Sequence, residues 1–500
     1  MRFDRSDGVF CHVTSLPGDH GIGDLGEGAS TFLSFLGDAE VDYWQVCPLG
    51  PTIGAAGESP YQSPSAFAGN PLLIDLDGLV ADGWLTREDL EPVPEFPANR
   101  VAYEDVRAYK LPLLRTAFER FEAAMDADDG AGTAVELDAF REREPWVGDY
   151  ALFRAISSVR PEDTWVEWPD PLRTRESDAL DAAREEHAET VRYHEFLQWT
   201  FDRQWTDLRR TAAEEGVSIV GDVPIYVALD SADVWANPEA FRLDDDNRPT
   251  MVAGVPPNPG DDGQRWGNPV YDWDRLAETD YDWWMRRFSR LFDLADVARL
   301  DHFLGFVRYW GIPADADDPA AGEWYEGPGR ELFETVEREF GDAPFIAEDL
   351  GFDDARMDDL MAEFGFPGMR VPQYANWCEG GNEYQPMNYP EGIVGYTSTH
   401  DTDTWVGYYA DLPADQRDCL HYNLGVDDDR PIEWEIIEDV WSSEAVLAMT
   451  TTQDLLGLGS EARFNKPGTL DGNWEWRVER DALSEELAGR LRELGAFHVR

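Results

Sequence analysis

Three carboxylates follow three short β-prone runs in this 500-residue chain. Asp301 follows Val297-Ala298-Arg299-Leu300, Glu348 follows Phe345-Ile346-Ala347, and Asp401 follows Tyr396-Thr397-Ser398-Thr399-His400. Two facing carboxylates with a third nearby suit glycosidic-bond chemistry, which needs a proton donor and a nucleophile or base around one linkage. Arg299 and Asp301 are two apart on an expected strand, so both side chains leave one face. A guanidinium beside a carboxylate is expected to depress its pKa and keep it ionised, as a nucleophile requires. Glu348, partly desolvated and facing another carboxylate, is expected to have a raised pKa and to donate a proton. Each fragment alone reads as readily as structure. Arg299–Asp301 makes an ordinary ion pair, Glu348-Asp349 makes a helix N-cap to which Asp349 is well suited, and His400–Asp401 makes a local pair. A fourth acid, Asp222, ends the run Ile219-Val220-Gly221, where it reads as an acceptor that orients its neighbours. The argument for one site is the convergence of all four.

Aromatic side chains supply the other half of a sugar site, because pyranose rings present apolar C–H faces that stack on them. Tyr61, Trp266, Trp405, Trp474 and Trp476 lie in polar, mostly Gly- or Pro-containing surroundings and are candidates for such contacts.

The acids need a scaffold that delivers them to one place. Eight β-type runs stand out: Val9–Val13, Tyr43–Leu49, Ser218–Val227, Val297–Phe303, Phe345–Leu350, Met369–Tyr374, Ile393–His400 and Ala445–Thr451. Helical stretches or loops separate the later ones. Eight alternating units argue for an α/β fold, a closed (β/α)₈ TIM barrel whose strand ends converge on one mouth, although an open doubly wound sheet would write a similar pattern. Residues 1–500 are read as one catalytic barrel carrying inserted subdomains around its mouth. Residues 82–210 read as a mostly helical insertion, with apolar residues at helical spacing in Arg107–Asp126 and Ala179–Glu215. Residues 229–272, rich in turn residues such as Pro256-Pro257 and Pro259-Gly260, read as a loop-rich insertion over the active site.

Composition narrows the partners. The chain has 102 acidic against 41 basic residues, a net charge of −61. Lys110 and Lys466 are its only lysines. Such a charge excludes a basic footprint for nucleic acid. The acids are spread along the chain, which reads as a solvated surface adapted to a cytoplasm of molar salt, where screening acts over about 3 Å. No apolar run is long enough for a membrane span, and Met1–Arg5 does not open a secretory signal, so a cytoplasmic location is expected. Cys11, Cys47, Cys378 and Cys419 follow no metal spacing and read as small buried hydrophobes, with no disulfide or metal site expected.

The ordered motifs resemble those of the 4-α-glucanotransferases known as amylomaltases or disproportionating enzymes, relatives of the α-amylase clan. The likeness rests on Ser15–Gly18 with Gly21–Gly26, Ser59–Pro71, Asp222–Val227, Asp233–Ala236 and Gly263–Pro269. It continues through the three acid motifs to Gly457–Arg463, Asn465–Thr469 and Gly472–Arg477. The resemblance implies a barrel with insertions and no cofactor or metal. It implies α-1,4-glucans and maltooligosaccharides as substrates, with transfer of a glucan segment to the 4-hydroxyl of an acceptor by retaining double displacement. A hydrolase of the same clan is the alternative. By this likeness Asp301 is the nucleophile, Glu348 the acid/base and Asp401 the transition-state stabiliser. Arg299, His302 and His400 flank them, Tyr61, Asp222 and Trp266 contact glucan, and Asn473 lies in a matching binding motif. The chain departs from the pattern in three places. Asn258-Pro259-Gly260-Asp261 replaces the acid and two aromatics usual after the paired prolines, Thr402 stands where Asn is commoner, and Met387 stands where His is usual.

Overall fold

The computed structural model describes residues 3–126, 131–258, 262–425 and 430–500. Pro259, Gly260 and Asp261 of the second insertion, and residues 127–130 of the first, lie outside the described residues. Twelve strands are described. They are β1 (Ser6–Phe10), β2 (Tyr43–Gln45), β3 (Ser218–Val223), β4 (Met251–Val255), β5 (Gln264–Pro269), β6 (Val297–Leu300), β7 (Arg308–Pro313), β8 (Glu323–Glu326), β9 (Phe345–Ala347), β10 (Gly368–Arg370), β11 (Ile393–Tyr396) and β12 (Leu447–Thr451).

Eight of them form one parallel sheet in the order β10-β11-β12-β1-β2-β3-β6-β9. The Ala347 N–H donates to the Pro367 carbonyl at 2.9 Å and draws the two end strands together, so the sheet rolls into a barrel. These are the eight runs expected from the sequence. Parallel strands covered on both faces become near-continuous apolar segments, and β1, β6, β9, β11 and β12 are buried at every position. One apolar cluster gathers Val220, Val297, Ile346, Met369, Val394, Leu447 and Met449 from six strands. It fills the barrel, as side-chain layers do in this architecture. Truncating Ile346 to Ala there would cost about 2–5 kcal/mol.

Helices close the outer layer. Asp282–Leu294 turns Trp284, Phe288 and Leu291 inward and feeds β6. Ala355–Phe364 is punctuated by its own residues. The Asp354 side chain accepts the Arg356 N–H at its start, and Gly365 takes φ +72° after its last turn. The short excursion back to β10 works because Gly368 has no Cβ: one placed there would lie 2.4 Å from an Asp349 carboxylate oxygen. Residues 82–210 contain the helices Tyr103–Asp126, Ala131–Arg143, Trp146–Val159 and Ser177–Glu186, and Ala188–Glu214 runs on to β3. Residues 229–272 hold the helix Ala232–Ala236 and strands β4 and β5 as well as turns. With β7 and β8 these make an antiparallel sheet, order β5-β4-β7-β8. Among the described residues no helix is long and apolar enough to cross a membrane.

One expectation is corrected. Cys378 and Cys419 form a disulfide, with Cα atoms 5.2 Å apart, while Cys11 and Cys47 are free and buried. The pair lies 41 positions apart in sequence, and the packing of Ala375–Trp377 against the helix Ala414–Leu424 brings them together.

Candidate active site

The parallel register assembles the acids. Asp222 on β3 stands opposite Arg299 on β6, and Leu300 stands opposite Ala347 on β9. One residue further, Asp301 and Glu348 leave the C-terminal ends of adjacent strands, which run about 4.8 Å apart. Arg299 is the hub. Its Nη1 lies 2.8 Å from both Asp222 carboxylate oxygens and 3.0 Å from Asp301 Oδ1. The Tyr61 hydroxyl donates to Asp222 Oδ2 at 2.7 Å. Both Asp222 oxygens are therefore occupied and its side chain is 1% exposed. Asp222, expected to contact glucan, lies behind the cleft lining, where it orients Arg299 and Tyr61.

Asp301 corrects a second expectation. Burial pushes its carboxyl up to about 6, and the Arg299 guanidinium opposes that push without reversing it. Desolvation and the neighbouring carboxylates outweigh the Arg299 guanidinium, which Asp222 already shares, together with the His400 imidazole. Burial also pushes Glu348 up to about 7, helped by Asp301 and opposed by Arg299. Glu348 Oε2 accepts the His302 N–H at 2.7 Å and Oε1 accepts the Leu350 N–H at 3.2 Å. Asp349 is no N-cap: it accepts the Met369 N–H at 2.7 Å and binds Arg370 at 2.9 Å, pinning β10.

Asp401 behaves oppositely. Burial raises its pKa, but His400 and Asn465 overcome that and hold it down at about 2. His400 Nε2 lies 3.2 Å from Oδ2, and Asn465 Nδ2 donates to Oδ1 at 2.6 Å. The same carboxylate raises the pKa of His400 against its burial. Burial lowers His302 to about 4, which leaves it neutral at pH 7.

These groups line one cleft of about 360 Å³ with Tyr61, Trp266, Tyr374, Asn465 and Trp474. Tyr61 stacks on His400 with centroids 5.2 Å apart, and Trp266 meets His302 edge-on at 5.0 Å. The remaining aromatic candidates are corrected. Trp405 is fully buried and donates to the Thr397 carbonyl at 2.6 Å, and Trp476 belongs to the core. Asn473, expected in a binding motif, also lies outside the cleft lining. It accepts the Lys466 N–H at 2.8 Å and donates to the Thr469 carbonyl at 2.8 Å, so it braces a loop instead of lining the cleft. Tyr374 and Asn465 were missed as site residues. Asn465 lay in plain view inside the motif Asn465–Thr469, whereas Tyr374 ended a strand-like run without any polar signal. Among the described residues no cluster of His, Cys, Asp and Glu is arranged to hold a metal.

A carboxyl near neutrality beside an ionised one, with a third held ionised across the cleft, can cleave and remake an acetal linkage. The family model for 4-alpha-glucanotransferases matches residues 11–483. The 4-alpha-glucanotransferase of Thermus thermophilus is 44% identical over 99% of both chains, and that of Synechocystis is 43% identical over 97% of this chain and 96% of its own. The structure of the amylomaltase from Streptococcus agalactiae in complex with acarbose superposes with a TM-score of 0.95 at 37% identity, covering 99% of each chain. On these matches, the chain belongs to the 4-alpha-glucanotransferase family.

Proposed function

We propose that the protein transfers an α-1,4-glucan segment from a donor to the 4-hydroxyl of an acceptor glucan or glucose by retaining double displacement. The observation that carries this reading is the placement of Asp301 and Glu348 on adjacent strands in register, one carboxyl near 6 and the other near 7. Retaining enzymes hold their carboxyl groups about 5–5.5 Å apart, close to the spacing of neighbouring strands. Glu348 gives its proton to the glycosidic oxygen as that oxygen leaves. An Asp301 oxygen forms a bond to the anomeric carbon, giving a glucosyl ester. The acceptor 4-hydroxyl then returns its proton to Glu348, and its oxygen displaces Asp301. Asp401, ionised throughout, stabilises the oxocarbenium-like charge in both steps and can accept sugar hydroxyls. Tyr61 and Trp266 offer stacking faces along the cleft, while His302 and His400 flank the reacting linkage. The Streptococcus agalactiae relative was solved in complex with acarbose, which supports a saccharide as ligand.

We also infer that the enzyme works in a cytoplasm of high ionic strength, a reading supported by 102 acidic against 41 basic residues. Incubation with maltotriose in molar KCl tests the activity. Glucose together with longer glucans is expected. Glucose and maltose alone would mean that water is the acceptor and would overturn transfer.

A further inference from the structure

We propose that Asp454 is a positioning residue that sets the loop carrying His400 and Asp401. The inference rests on the proposed role of Asp401 as transition-state stabiliser. Asp454 lies in the short helix Thr452–Leu455 that follows β12, and its own N–H is capped by Thr451 Oγ1 at 3.3 Å. Its side chain lines no part of the cleft. It is 0% exposed, so its carboxylate is answered by protein groups alone. Those groups are the two feet of one loop.

On the first foot, just beyond β11, the Thr397 hydroxyl donates to Oδ2 at 2.8 Å and the Ser398 hydroxyl donates to the same oxygen. On the second foot, the Trp405 N–H donates to Oδ1 at 2.8 Å. The Trp405 indole N–H bonds back to the Thr397 carbonyl at 2.6 Å, which joins the feet to each other. Between them runs Thr399–Thr404, with His400 and Asp401 at its crest. A fully buried carboxylate that loses its donors, or donors that lose their carboxylate, leave polar groups unmet in the interior. The loop therefore has one low-energy seat. A displacement of about 1 Å at a reacting group can cost about a hundredfold in rate. Asp401 itself is held by Asn465 at its carboxylate and by Arg463 at its carbonyl, and Asp454 acts on it only through the two feet.

The loss expected from removing Asp454 falls on the transition state rather than on ground-state binding, so it should appear in kcat rather than KM. Asn can replace Asp here in part. Its carbonyl oxygen still accepts the Trp405 N–H, and its amide can donate to the Thr397 and Ser398 hydroxyls, which rotate to accept.

The experiment compares Asp454→Ala, Asp454→Asn and Asp401→Asn in maltotriose disproportionation, with kcat and KM measured on folded protein in molar KCl. Asp454→Ala is expected to lose about a hundredfold in kcat with KM within about threefold, and Asp454→Asn to recover at least tenfold of that loss. A kcat for Asp454→Ala within threefold of wild type would overturn the proposal, as would a rise in KM at constant kcat. If Asp454→Ala does not fold, the double variant Thr397→Val/Ser398→Ala removes one foot while leaving the carboxylate. A tenfold loss of kcat there supports the proposal, and an unchanged kcat overturns it. Asp401→Asn separates the two levels: a wild-type rate for it would sink the role of Asp401 itself, whatever Asp454 does.

Discussion

Glu348 receives the backbone N–H of His302 at 2.7 Å, and His302 presents it from a left-handed backbone with φ +49°. That region costs a non-glycine residue about 1–3 kcal/mol and persists where surrounding contacts hold it. Here the left-handed residue directly follows Asp301, so the turn that ends β6 also supplies a donor to the opposing acid. The bond favours the ionised form of Glu348 and limits how far burial can lift its pKa.

The pH profile follows from this balance. Transfer needs Asp301 ionised, raised to about 6, and Glu348 protonated, raised to about 7. The rate should rise as the first proton leaves the pair and fall as the second does. Two carboxyls this close titrate as a pair, so the limbs belong to both. A plot of kcat/KM for maltotriose at constant salt is expected to be a narrow bell with its maximum between those limbs. A flat profile from about pH 5 to pH 9 would contradict these protonation states.

The ion pair behind the cleft carries a stability prediction. Asp222→Ala removes the buried carboxylate whose two oxygens share Arg299 Nη1 and leaves the guanidinium only Asp301, which should cost about 3–5 kcal/mol. Tyr61→Phe removes the hydroxyl bond to Asp222 and leaves the ion pair, and should cost about 1 kcal/mol. Urea unfolding of both variants in molar KCl checks the difference. Equal losses would mean that the Asp222–Arg299 pair contributes no more than one neutral hydrogen bond.

Much of this arrangement was legible before any coordinates. The barrel strands were readable because burial on both faces leaves few polar interruptions. The strands of the small sheet were not. Arg308–Pro313 and Glu323–Glu326 mix charges with aromatics, and Met251–Val255 lies among turn residues. Asp301, Glu348 and Asp401 were readable because acids at apolar strand ends are conspicuous. The raised pKa of Asp301 was not legible because Arg299 is visible as its sequence neighbour, whereas its desolvation and the claim of Asp222 on Arg299 belong to the assembled barrel. Trp405 and Trp476 misled for a related reason: polar neighbours along the chain do not decide whether an indole ends in a cleft or in a core. The Cys378–Cys419 contact joins two excursions beyond β10 and β11, and nothing in their spacing announces it.

That disulfide gives the third prediction. It closes a loop across a sequence separation of 41, for which chain entropy allows up to about 4 kcal/mol. Gln416 and Asn423 also tie the Ala375–Glu379 segment to the helix Ala414–Leu424, through the Trp377 N–H at 2.9 Å and the Trp377 carbonyl at 2.7 Å. The paired variant Cys378→Ser/Cys419→Ser should therefore lose about 2–4 kcal/mol of stability while the cleft keeps its shape and activity. Thermal unfolding with and without reductant measures the loss. Thiol counting on denatured protein, alkylated at cell lysis, should find two free thiols. Four would show that the pair is reduced where the protein works.

Salt dependence is the last expectation, and its sign can be worked out. Asp7 and Asp439 are both pushed up to about 7, by burial first and then by neighbouring acids: Asp42 in one case, Glu438 and Glu435 in the other. A folded-state value above the unfolded one means that folding holds the proton. The stability these groups contribute is complete below about pH 4 and is lost as pH rises through 7. Above that point, like charges face one another at short range on a chain of net charge −61. The screening length is about 3 Å at 1 M salt and more than 10 Å below 0.1 M, so dilution restores the repulsion. Stability and activity should therefore fall on transfer from molar KCl to about 50 mM, where screening is weak. The fall should be larger at pH 8 than at pH 5, and Asp7→Asn should relieve part of it at pH 8 only. Thermal unfolding across that grid of salt and pH is the measurement. A protein fully stable and active in dilute buffer at pH 8 would show that its acidic surface is not an adaptation to salt.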